Sequence, residues 1–141
     1  APPPPPPSTA APVAPTPAEV AYDDGWASLR ANDFAAAARD LDRAADLAPS
    51  GPLRDDARYW RTVALARAGR ATDAIAGFRA LLADVPATAH RGEASVMLGW
   101  LLVDAHQLVE AERRFRDASA DPDPRIRASA LHGLSALHAS P

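Results

Sequence analysis

The stretch from Asp33 to Pro49, DFAAAARDLDRAADLAP, is echoed twice further along the chain at a fixed step of 37 residues. The step relates Ala37, Ala74 and Ala111, then Leu41, Phe78 and Phe115, then Ala44, Leu81 and Ala118. It also carries Pro49 to Pro86 and on to Asp123, inside a Pro-Asp-Pro run. A period of this length constrains the fold more than any other feature. Each unit is too small to bury its own apolar face and must stack on its neighbour. With 141 residues there is room for one such domain, and a stack of this kind is expected to bind rather than catalyse.

Composition narrows the choice. Apolar residues make up 48% of the chain, but many are alanine, a strong helix former that lets helices approach closely. No segment alternates with a period of two, so no sheet is expected. A net charge of −3 gives no electrostatic footprint for nucleic acid or an anionic membrane surface. The absence of cysteine removes disulfides, thiol catalysis and cysteine metal sites. The longest apolar run, Val96 to Val103, is too short to insert into a bilayer. The first residue is Ala1, which fits an exported protein, extracellular or periplasmic, and equally a shortened chain.

Residues 1–17 differ from the rest. Pro2, Pro3, Pro4, Pro5, Pro6 and Pro7 are consecutive, and Pro12, Pro15 and Pro17 follow among small residues. Such a run forms neither helix nor ladder and settles into polyproline II, an extended arm on the order of 50 Å at ~3.1 Å per residue. It reads as a linker, a stalk or a docking arm. Ser8, Thr9 and Thr16, or hydroxylated prolines, are candidate O-glycosylation sites of a mucin-like stalk.

From there the period becomes helical, with helices predicted over 18–31, 34–47, 53–68, 72–83, 89–104, 108–120 and 124–138. Asn32-Asp33 can cap the second, and Pro52 stands near the start of the third with Asp55 and Asp56 in its first turn. Gly69 ends the third, while Thr72 and Thr88 can cap the fourth and fifth. Asp123-Pro124 starts the last. Connections this short imply antiparallel neighbours.

This pattern resembles the tetratricopeptide repeat, a family of helix pairs 34 residues long. The second-helix positions of the motif are Ala37, Leu41, Ala44 and Pro49, then Ala74, Phe78, Leu81 and Pro86, then Ala111, Phe115 and Ala118. The Leu-Gly pair of the first helix is present as Leu98-Gly99 and reduced to Gly25 in the first unit. The second unit has Arg61-Thr62 there, which leaves the packing of that helix open. The longer period fits longer loops between units. The resemblance implies an all-α fold: an α-solenoid of three helix pairs (about 18–51, 52–88 and 89–123) stacked right-handedly, plus a capping helix at 124–138.

The resemblance further implies a concave groove lined by the first helix of each pair. Its positions here are Tyr22, Tyr59 and Val96, with Trp26, Val63 and Trp100, and Trp60 and Met97 one place further round. Aromatics at helical spacing are as often plain core. The lysine and asparagine clamp that some members use for acidic peptide ends is missing from these places. Rigid proline-rich segments dock on aromatic surfaces at little entropic cost, so the chain carries both an arm and a candidate receiver.

No catalytic, cofactor or metal residues emerge. His90, His106, His132 and His138 form no i, i+4 pair, Asp23-Asp24 and Asp55-Asp56 point to different faces, and the arginines at 113, 114, 116, 125 and 127 read as a solvated or ion-paired surface. The expectation is a non-enzymatic protein-interaction scaffold that links copies of itself head to tail through the arm. Its alternative is a monomeric periplasmic or secreted adaptor whose groove binds another protein.

Overall fold

The computed structural model describes residues 1–7 and 12–139. Within them all regular secondary structure is helical: α1 (Pro17–Arg30), α2 (Phe34–Leu47), α3 (Pro52–Arg67), α4 (Ala71–Asp84), α5 (Arg91–Asp104), α6 (Leu108–Ala118) and α7 (Pro124–Ala139). Every helix packs on the next in sequence, α1 also touches α3, and α5 touches α7.

The 37-residue period is written into the backbone. After each of α1, α3 and α5 one residue turns left-handed: Asn32 (φ 58°), Gly69 (φ 79°) and His106 (φ 58°). The N–H that follows reaches back to the helix, Asp33 to the Ser28 carbonyl at 2.9 Å, Arg70 to Leu65 at 3.0 Å and Gln107 to Leu102 at 2.8 Å. Donors, acceptors and turn residues all keep the step of 37. These bonds satisfy the last carbonyls of the first helix and reverse the chain. Glycine adopts the left-handed conformation freely, whereas Asn32 and His106 adopt it against side-chain crowding.

Helix starts follow the sequence signals with two exceptions. Asp33 caps α2 by accepting from Ala36 N–H at 3.1 Å, and Pro17, Pro52 and Pro124 each open a helix. Thr72, expected to cap α4, lies inside it, because the Gly69 turn delivers the chain to Arg70 as the capping residue. Thr88 does not cap α5; His90 holds that place, and the Thr88 hydroxyl accepts from His90 N–H at 3.2 Å.

Ala37, Leu41, Ala74, Phe78, Ala111 and Phe115 are all fully buried, as the repeat requires. Close approach is made by small residues on the facing helix. A Cβ at Gly25 would fall within 2.7 Å of Leu41, and one at Gly99 within 2.6 Å of the Phe115 ring. In the second unit Thr62 occupies the equivalent place, and the glycine has crossed to the partner helix. A Cβ at Gly77 would stand 2.7 Å from Thr62 Oγ1, which donates to the Arg58 carbonyl at 2.8 Å. Even so, α3 and α4 meet less extensively than α1 and α2 or α5 and α6.

Candidate interaction face

The first helices α1, α3 and α5 carry the residues singled out as a groove, and burial sorts them. Tyr22, Trp26, Trp60 and Trp100 are half-buried, with part of each ring in solvent. Tyr59 and Val96 are buried, at 5% and 9% exposure, and each turns its remaining surface to a hollow described below. Val63 does not line a groove: it is 2% exposed and packs among Phe78, Leu81 and Leu98.

Four of these rings run edge to edge across the first helices. Tyr22 meets Trp26 at 6.4 Å between centroids, Trp26 meets Trp60 at 4.6 Å, and Trp60 meets Tyr59 at 5.0 Å. His90 completes the row, stacked on Tyr59 at 4.1 Å and 5°. Its Nε2 lies 2.7 Å from Asp56 Oδ1, so the residue that opens α5 is tied to the second turn of α3. Trp100 stands apart, edge-on to Phe115 at 5.0 Å and near His132.

Beside this row, between α3, α5 and the start of α7, lies a hollow of about 330 Å³ lined by Tyr59, Glu93, Val96, Met97, Ile126 and Ser129, with Asp123 and Arg125 at its edge. It opens between α3 and α5, where Tyr59 meets Met97. The Tyr59 hydroxyl faces Met97 Sδ at 3.8 Å, a weak acceptor for a good donor. Burial first, and the Glu93 carboxylate second, push the phenol up to about 12, against a smaller opposing effect of Arg67. Tyr59 is therefore neutral at ordinary pH and keeps its proton to donate. The chemistry on offer is an apolar floor, one under-used hydroxyl donor and a charged rim. That suits recognition of a carbonyl-rich, apolar segment.

The arm residues 1–7 and 12–16 are exposed, so Pro2 to Pro7, Pro12 and Pro15 are not buried against their own helices. Pro17 is the first residue of α1 rather than part of the arm. Thr16 caps α1: its Oγ1 accepts from Glu19 N–H at 3.2 Å and donates to Glu19 Oε1 at 3.0 Å. A glycan on Thr16 would remove the donor to Glu19 Oε1 and leave the oxygen that accepts from Glu19 N–H. Ser8 and Thr9 lie outside the described residues.

Most of the arginine cluster is ion-paired or caps the chain. Arg114 pairs with Glu110 at 3.2 Å and Arg125 with Asp123 at 3.4 Å, Arg116 pairs with Glu112, and Arg127 donates to the carbonyls of Asp121 and Pro122 at 2.8 Å each. Arg79 bridges α4 to α6 through both oxygens of Glu110, whose carboxyl it holds below the usual range, helped by Arg114. Among the described residues no three His, Cys, Asp or Glu gather as metal ligands, and no helix is long and apolar enough to cross a membrane.

Sequence reasoning missed the Asp56–His90 tie and the α7 side of the hollow. The 37-residue register pairs position 90 with Leu53, not Asp56, and Ile126 and Ser129 belong to the helix outside the three repeats. No family model matches the chain, and no curated protein matches it.

Proposed function

We propose that this chain is a non-enzymatic protein–protein interaction scaffold, a tetratricopeptide-like α-solenoid whose copies link head to tail through the proline-rich arm. The observation that carries the reading is the left-handed turn recurring at Asn32, Gly69 and His106 with the same backbone bonds. A unit that repeats in its main chain stacks on its neighbours in one direction and presents its first helices as one continuous face.

The arm and the hollow complement each other. Proline lacks an N–H, so a polyproline segment offers apolar rings and carbonyls that need donors. Tyr59 has a hydroxyl with only a thioether beside it, set among Val96, Met97 and Ile126. A pre-extended arm loses little entropy on docking. A contact between unlike surfaces propagates unless its rotation closes a ring.

Deleting residues 1–15, which leaves the Thr16 cap intact, is expected to reduce a concentration-dependent assembly to monomer in sedimentation while helicity is unchanged. Met97→Glu, which puts a second carboxylate beside Glu93, is expected to do the same. If both variants assemble like the parent chain, the arm does not link copies. If the parent chain is itself monomeric, the adaptor reading with a foreign partner takes its place.

A further inference from the structure

We infer that the two ends of the helix stack bind each other, the outer face of α7 in one copy packing against the outer face of α1 in the next. The inference rests on the head-to-tail association proposed above, but it uses surfaces other than the arm and the hollow.

Both terminal helices leave an apolar residue in water at the centre of an unpacked face. Val20 on α1 is 45% exposed, and Leu131 on α7 is 55% exposed. On α1 the exposed Ala27 lies seven residues after Val20, and Asp23 and Asp24, three and four residues after Val20, flank the line between them. On α7 the exposed Ala128, Leu131 and Ser135 follow the same i, i+3, i+7 spacing, while Ile126, Ala130 and Gly133 face inward. Each end face therefore mixes one large exposed apolar residue with charged or polar ones, and among the described residues no further helix covers either.

Charge selects the pairing. Helix α1 carries Glu19, Asp23 and Asp24 against Arg30, with Arg43 of α2 3.9 Å from Asp24, whereas α7 carries Arg125 and Arg127 and no carboxylate, with Asp123 just before it 3.4 Å from Arg125. Two copies of α1 would repel each other, and so would two copies of α7. An α1 and an α7 attract, which favours a heterologous contact over a two-fold one. The arrangement is consistent with the arm as well. Residue 16 leads directly into α1, and the hollow is rimmed by the first turns of α7, so a copy docked by its α1 brings its own arm to the hollow of the copy it docks on.

The test uses two full-length variants, Val20→Glu and Leu131→Glu, each changing a half-exposed residue that the core does not need. Circular dichroism checks that both remain helical. Each alone is expected to associate at least tenfold more weakly than the parent chain in sedimentation. Mixed in equal amounts they share one intact joint, the α7 of the Val20→Glu chain with the α1 of the Leu131→Glu chain, while the other pairing sets two carboxylates against each other. The mixture is therefore expected to give a species of twice the 14.8 kDa monomer mass and nothing larger. Parent-like association of both single variants overturns the inference, as does a mixture that stays monomeric or a parent chain monomeric at every concentration. A chain lacking residues 1–15 separates the two proposals. If it still associates and remains sensitive to Leu131→Glu, the ends bind without the arm. If it disperses while full-length Leu131→Glu does not, the arm links copies and the end contact is wrong.

Discussion

Replacing Gly77 by alanine sets two opposed effects against each other in one helix. Alanine in a helix interior is favoured over glycine by about 1 kcal/mol. Here the new methyl would lie 2.7 Å from Thr62 Oγ1 and 2.9 Å from Thr62 Cγ2. Thr62 cannot simply turn away, since its hydroxyl is held to the Arg58 carbonyl at 2.8 Å and the side chain is fully buried. Overpacking of this kind costs about 1–3 kcal/mol, so the net result is a loss of about 1 kcal/mol, the midpoint of that range less the helix gain. In a Thr62→Ala background the two clashing atoms are gone and only Cβ remains, at 3.4 Å. There the same Gly77→Ala substitution is expected to stabilise, by up to about 1 kcal/mol. Urea unfolding of the four chains, followed by helical circular dichroism, gives the coupling directly, and any cost of Thr62→Ala alone cancels in the cycle. Two contributions that simply add, with Gly77→Ala stabilising in both backgrounds, would refute the idea that a glycine moved across the helix pair to make room for Thr62.

Phe78→Ala empties a fully buried site and is expected to cost about 3–5 kcal/mol in the same assay, and a loss under about 1 kcal/mol would show that the repeat phase is misassigned. His106→Gly relieves a left-handed histidine (φ 58°) and is expected to raise stability by about 0.5–1 kcal/mol, with a smaller gain for Asn32→Gly; a loss at 106 contradicts the turn. Because burial raises the Tyr59 phenol in the folded chain, its contribution is complete below the unfolded value of about 10 and is lost as pH climbs through about 12. Tyr59→Phe should therefore flatten the alkaline fall in stability, and identical profiles for the two chains would disprove the shift.

The helices were legible because period and punctuation agreed. Apolar residues fell at helical spacing, Asp33, Pro52 and Pro124 marked starts, and observed ends lie within two residues of expectation. Burial at the repeated alanines and phenylalanines followed from the same phase. The candidate face was harder to read, because equivalent register does not mean equivalent surroundings. Tyr22 and Tyr59 share a register, yet α1 has an open side while α3 has neighbours before and after it, so Tyr22 is half-buried and Tyr59 almost wholly so. Val63 was assigned to the face by register and belongs to the core for the same reason. Contacts out of register, such as Gly77 with Thr62 inside a unit or His90 with Asp56 between units, depend on the rotation of one helix against another. A one-dimensional pattern does not carry that rotation.

The turn that follows each first helix also determines which changes the chain tolerates there. Its closing donors belong to Asp33, Arg70 and Gln107, an acid, a base and an amide making one and the same main-chain bond. The bond itself asks nothing of the side chain, so the residue types can differ between units without loss of shape, and what limits substitution is the separate work of each side chain, as where Asp33 caps α2. One residue is vetoed at all three. Proline has no N–H to give, and placed at 33, 70 or 107 it would leave the carbonyl of Ser28, Leu65 or Leu102 without its partner.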